Sequence, residues 1–189
     1  MTARLYVFAN AANALALLLI LAGGFIVQFA ANEPPCPLCV MQRIAMLLAA
    51  LGPCHVLLSA ARGPLKERDI AIGCGMLIGA SLVGASIAIR QILLHILLND
   101  PGFGAPFLGF HLYTWALIAF VLNISAGAVQ LIGLAWFSVA AAPAKILARA
   151  SAGFVAAMLI ANILSVAAEA GLAWKLPDNP TGYLMFTHE

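Results

Sequence analysis

The residues best suited to chemistry lie in "NEPPCPLCVMQR", residues 32–43. Cys36 and Cys39 form a Cys-x-x-Cys, preceded by Pro34 and Pro35 and interrupted by Pro37. Pro37 suits the first position of a helix, where its missing N–H has no partner to lose. Cys36 is then the expected N-cap and Cys39 the third helical residue. Unpaired N–H groups and the positive end of the helix dipole face both sulfurs and favour thiolate, the reactive form. Such a dithiol can cycle between reduced and disulfide states. A purely structural crosslink is the other reading, but a ring of four residues removes little chain entropy and adds little stability. Arg43, four residues beyond Cys39, shares its helix face one turn deeper.

Composition says what must hold these residues. Of 189 residues, 64% are hydrophobic and 8% charged, against about 25% charged in a soluble domain. A soluble surface cannot be covered with so few charges, so the chain is expected to be an all-α polytopic membrane bundle. Five apolar segments follow one another: Leu5–Ala31, Leu38–Ala60, Ile70–Leu98, Leu112–Phe137 and Ser151–Trp174. Each approaches or exceeds the roughly 20 residues that span a bilayer as helix. Their apolar runs are continuous rather than alternating, which favours helices over barrel strands. The first is longer than the roughly 7–15 residues of a signal-peptide apolar region, so a retained helix is expected. The fifth is interrupted by Asn162 and Glu169. No repeat or linker divides the chain, and residues 1–189 form a single transmembrane domain. No basic cluster points to nucleic acid, and no His or Cys spacing points to a metal.

Loop charges orient the bundle. Arg4, then Arg62, Lys66 and Arg68, then Lys145 and Arg149 flank the spans on one side, while the loops Asn32–Pro35 and Asn99–Phe110 carry no Lys or Arg. The positive-inside rule puts the N-terminus in the cytoplasm and those two loops outside, with the tail from Lys175. Cys36 and Cys39 therefore face the compartment where disulfides persist. Cys54 lies fifteen residues past Cys39, about 22 Å along a helix, and Cys74 is near the inner end of the third segment. Both are expected to be small buried hydrophobes. An arginine facing apolar surroundings is expensive. Either Arg43 snorkels to the headgroups, or it holds negative charge developing on a bound acceptor. Arg90, about eight residues inside the outer end of the third segment, is expected near the depth of Arg43. Two arginines beside a dithiol predict a polar pocket for an apolar acceptor with reducible oxygens, and a quinone answers that description. His95 and His111, near the outer surface, are candidates to relay protons, although interfacial histidines need no such role.

The stretch "CPLCVMQR" resembles the Cys-x-x-Cys-x-x-x-Arg signature of the DsbB family, bacterial inner-membrane thiol–quinone oxidoreductases. "GASIAIRQILL", 84–94, is similar to that family's arginine-bearing third helix, and "FLGFHLYTWALIAF", 107–120, resembles the start of its fourth. The resemblance runs from about Leu5 to Phe137. It implies a four-helix core, to which this chain is expected to add a fifth transmembrane helix. Cys36 and Cys39 match the quinone-coupled pair, Arg43 the arginine that contacts the quinone, and Leu112 and Trp115 the helix-four surface near its ring. Arg90, on the stretch similar to that third helix, is expected in the cofactor site through its depth beside Arg43. Electrons would pass from a periplasmic thioredoxin-fold protein of DsbA type to ubiquinone or menaquinone, with the active site on the periplasmic side of a bacterial inner membrane. Two departures stand out. Family members carry a second cysteine pair in a longer second outer loop, whereas Asn99–Phe110 is short and has no cysteine. A partner thiol must then reach Cys36 directly, and the short loop is expected to leave Cys36 less covered. The fifth span is the other departure. A redox protein serving a dedicated partner or a reductive pathway, and a non-catalytic scaffold with a structural Cys-x-x-Cys, are the remaining readings. A transporter is disfavoured, because no inverted repeat and no charged pair at the midplane are visible.

Overall fold

The computed structural model describes residues 2–30, 33–97, 100–142, 144–171, 176, 180 and 182–186. Five long helices are α1 (Ala3–Ala30), α2 (Pro37–Arg62), α3 (Glu67–Leu94), α4 (Leu112–Gly133) and α5 (Lys145–Ala170), with one 3-10 turn at Leu134–Trp136 continuing α4. All five are long and apolar enough to cross a membrane, so the chain is a helical membrane bundle. Two boundaries correct the apolar segments. α3 stops at Leu94, where the His95 N–H turns back to the Ile92 carbonyl. α5 begins at Lys145 rather than Ser151, because hydropathy overlooks a first turn and a half that carries Lys145 and Arg149. The expected ends Ala31, Leu98 and Trp174, the loop residues Asn32 and Asn99, and Lys175 lie outside the described residues.

α2 is the most enclosed helix. It packs on α1, α3 and α5, while α4 packs chiefly on α3. The fifth helix therefore joins the bundle against α2 and α1. Its inward face explains the polar interruptions: Asn162, Ser165 and Glu169 are all buried and recur at helical spacing. The core has two layers. One joins Leu17, Leu21, Met46, Leu77, Phe120 and Val155. The other, toward the opposite end, joins Tyr6, Val56, Leu57, Leu65 and Ile70. Cys54 sits in the first layer and Cys74 in the second, both free thiols packed as small apolar groups.

Lipid tails are as apolar as leucine, so close packing rather than water exclusion must hold these helices together. At the crossing of α2 and α3, a Cβ on Gly52 would collide with the Gly73 carbonyl and stand 2.9 Å from the Leu77 nitrogen. These are backbone atoms that cannot swing away. Gly52→Ala is therefore expected to force α2 and α3 apart, at about 1–3 kcal/mol. Gly75 on α3 has nothing within 4 Å of such a Cβ, so Gly75→Ala should leave stability unchanged or raised. Thermal unfolding of the two variants in the same detergent checks the pair; equal melting would mean that the crossing is looser than its geometry.

Candidate functional site

Cys36 caps α2 from extended backbone, and Pro37 opens the helix. The Cys39 N–H donates to Cys36 Sγ at 3.2 Å. The two cysteines are joined as a disulfide, with Cα atoms 5.0 Å apart. Sulfur thus occupies the place that an oxygen takes in an ordinary cap, and the helix N-terminus points at the bond that would be opened.

Sequence reasoning missed the group that lies closest to both sulfurs. Gln91 of α3 is wholly enclosed. Its Nε2 donates to Cys36 Sγ at 3.3 Å and to Cys39 Sγ at 3.5 Å, and its Oε1 accepts from Gln42 Nε2 at 2.8 Å. The Gln42 bond fixes the amide orientation, so the N–H side is held toward sulfur. Such a donor favours whichever sulfur becomes negative when the disulfide opens.

Arg43 reaches across to α1. Its Nη1 donates to Gln28 Oε1 at 2.6 Å and its Nη2 to the Gly24 carbonyl at 3.0 Å, both on α1. The guanidinium lies 4.8 Å above the centre of the Phe25 ring. Gln28 in turn donates to Ser165 Oγ on α5 at 2.7 Å and to Tyr183 OH at 2.8 Å. A guanidinium has five N–H groups, and these two bonds leave donors for a further acceptor.

A cavity of about 480 Å³ lies between α1 and α4 above α2. Cys39, Arg43, Leu112 and Trp115 all line it, with Gln42 and an otherwise apolar wall. Four of the predicted site residues are thereby brought together. A charged donor on an apolar wall fits a flat apolar ring bearing carbonyl oxygens.

Arg90 is a correction. It is exposed and lines a second cavity of about 360 Å³ with Cys36, Gln91, His95 and Phe103. The two arginines do not share a pocket. They flank the disulfide, Arg43 on the Cys39 side and Arg90 on the Cys36 side. Similar depth did not bring them together because helix rotation, not depth, decides which neighbour a side chain meets.

The covering of Cys36 is a second correction. Only 6% of it is exposed, and Cys39 is the less buried of the two. Gln91 donates to its sulfur, and Pro37 and Phe103 of the 100–111 loop line the cavity beside it. That loop is short but firmly pinned. Asp100 accepts from the Gly102 N–H at 2.8 Å and from His95 Nδ1 at 3.1 Å. These two contacts, the backbone N–H first, hold the Asp100 carboxyl below its usual range. The pinning is thus present above the ordinary carboxylate pKa and is lost only as pH falls through the lowered value. His95 and His111 both stack on Tyr113, and the Trp115 Nε1–H donates to the Phe107 carbonyl at 2.9 Å. His95 and His111, candidate relays with no need of that role, bond to the loop here, and neither lines the cavity of Arg43.

Comparison with known proteins is consistent with this arrangement. The family model "Disulfide bond formation protein DsbB" matches residues 6–103. Disulfide bond formation protein B 2 of Burkholderia lata is 35% identical over 88 residues, which cover 47% of this chain and 46% of that one. Disulfide bond formation protein B 1 of Pseudomonas fluorescens is 30% identical over 133 residues, 57% of this chain and 78% of the relative. Disulfide bond formation protein B of Chromobacterium violaceum is 36% identical over 101 residues, 51% and 58% of the two chains. This chain thus spans about half the length of the first of these relatives. No solved structure matches it. The family match ends at residue 103, so it takes in Cys36, Cys39, Arg43 and Gln91 and stops before α4 and α5. By that match, and by its likeness to the Pseudomonas relative over most of that protein's length, the chain belongs to the DsbB family of disulfide bond formation proteins.

Proposed function

We propose that the chain is a membrane thiol oxidoreductase that takes electrons from an extracytoplasmic dithiol protein at Cys36–Cys39 and passes them to a membrane quinone, ubiquinone or menaquinone. The observation that carries the reading is the apolar cavity bordered at once by Cys39 and by the partly unoccupied donors of Arg43. The names of its relatives, which speak of disulfide bond formation, support the thiol half. The Lys and Arg distribution supports a bacterial inner-membrane orientation with the dithiol on the periplasmic face.

In this mechanism a partner thiolate attacks Cys36 Sγ from the side of the second cavity, where Arg90 draws the anion in. The S–S bond breaks and Cys39 leaves as thiolate. Gln91 Nε2 and the helix N-terminus hold the new negative charge. The partner's second thiol then displaces Cys36 and carries off its disulfide, leaving both resident thiols reduced. A quinone in the first cavity would supply a two-electron, two-proton acceptor, and the resident dithiol would return to the disulfide as it gives up those electrons and protons. Arg43 would hold an acceptor oxygen that gains negative charge, in surroundings of low dielectric where one charge acts strongly. Leu112 and Trp115 would wall the ring and exclude water.

The expected result is a dithiol-driven loss of quinone absorbance in the purified protein. It should require both Cys36 and Cys39 and be indifferent to Cys54→Ala with Cys74→Ala. A disulfide that resists mild dithiol buffers, together with a quinone signal that never moves, would replace this reading with a structural crosslink.

A further inference from the structure

We propose that Glu169, on the fifth helix, sets the effective charge of Arg43 and so makes the reactivity of Cys39 depend on the protonation of a carboxyl outside the site itself. Glu169 is entirely buried, and neither carboxylate oxygen has a hydrogen-bond partner among the described residues. A buried carboxylate without compensation is costly, so a cation must face it or it must be protonated. The cation to which the hydrogen bonds of α5 lead is Arg43 of α2. Ser165, one turn earlier on the same face of α5, bonds to Gln28, and Gln28 accepts from Arg43. That chain fixes α5 so that the Glu169 face turns toward the Arg43 site. Tyr183 is the other titratable group facing Arg43, and α1 contributes the neutral Gln28 there.

Arg43 itself bonds to neutral acceptors, Gln28 and Gly24, and among the described residues it makes no direct ion pair. Its positive field therefore reaches the cavity, less whatever Glu169 cancels. With Glu169 ionised, the two charges partly offset one another at Cys39. With Glu169 protonated, Arg43 acts undiminished. Such fields are weakly screened away from water. Glu169 is then a positioning residue acting through Arg43, in a helix added beyond the part of the chain that the family match covers.

The test needs no quinone. In the full chain reduced by dithiol, with Cys36, Cys54 and Cys74 each replaced by Ala so that Cys39 is the sole cysteine, alkylation by iodoacetamide reads the thiolate. Glu169→Gln should alkylate faster than the parent where Glu169 is ionised and Cys39 is still mostly thiol, on the order of tenfold for the loss of one nearby charge, and the two should converge at alkaline pH, where Cys39 is thiolate in both. The gap should close as acid protonates Glu169 in the parent. Glu169→Asp, which withdraws the charge by one methylene, should fall between them. It also decides the matter if Glu169→Gln does not fold. Equal rates of a folded variant and the parent at every pH would overturn the proposal. Because the proposal rests on Arg43 facing an acceptor, reoxidation by a short-chain quinone is run alongside. Alkylation that behaves as expected without any quinone-driven reoxidation would overturn the acceptor reading alone.

Discussion

Replacing Arg43 by alanine is expected to slow reoxidation of the reduced dithiol by quinone by about 10²–10³, the usual effect of removing one preorganised donor. Opening of the Cys36–Cys39 disulfide by an external dithiol should change only a few-fold. The asymmetry follows from position. Arg43 borders the cavity on the Cys39 side and lines nothing on the Cys36 side. Arg43→Lys keeps a charge but cannot span Gln28 and the Gly24 carbonyl with a planar fork, so it should lie between the two. Arg90→Ala should show the opposite pattern, a slower thiol step and an unchanged quinone step, because Arg90 lines the other cavity. Stopped-flow measurement of the two half-reactions separates these outcomes. If Arg43→Ala leaves quinone affinity and turnover intact, the guanidinium is merely a bracket between α1 and α2.

The contrast between the two arginines also marks where sequence reasoning reaches its limit. The start of α2 was legible because its signals are local: Pro37 at the first helical position, a capping Cys36, and Arg43 at a fixed angle from Cys39. Leu112 and Trp115 came to the same cavity through a family pattern. Arg90 failed because its partner is set by the rotation of a whole helix. The buried stripe of α3 runs Leu77, Ser81, Gly84, Ala88, Gln91, and at 100° per residue Arg90 falls off it while Gln91 stays on it. That stripe of small and polar residues was visible in the sequence, and following it to its end would have found Gln91. Gln28 and Gln42 gave a similar sign, amides without an evident partner among apolar residues near helix ends. In α5, Asn162 and Glu169 looked like defects in a span. Read with Ser165 as one helical face, they are an inward stripe instead. The loop beside Cys36 gave no such sign, since its clasp depends on His95, Tyr113 and Trp115 meeting it from two helices.

That buried Cys36 shapes the largest expected effect. Cys39→Ala should abolish turnover and leave Cys36 as the sole thiol of the pair. Its thiolate can attack an oxidised partner: one partner sulfur joins Cys36, and the other leaves as thiolate. Without Cys39 the resident pair cannot resolve this adduct. Rapid acid quenching followed by alkylation caps the freed partner thiol before it reverses the exchange, and the mixed disulfide should accumulate. The partner must reach Cys36 through the cavity lined by Arg90, His95 and Phe103, which suits a protein that presents an active-site cysteine on a narrow ridge, as a thioredoxin fold does. Cys54 and Cys74 are buried in the two core layers and contact neither cavity. Replacing both should leave the adduct unchanged. Mass spectrometry of the quenched adduct decides among the outcomes. A crosslink at Cys54 or Cys74 would refute a mechanism with one cysteine pair. A Cys36 that stays reduced and uncoupled, in a protein whose Cys36–Cys39 bond also resists dithiols when intact, would make the disulfide a brace for the start of α2.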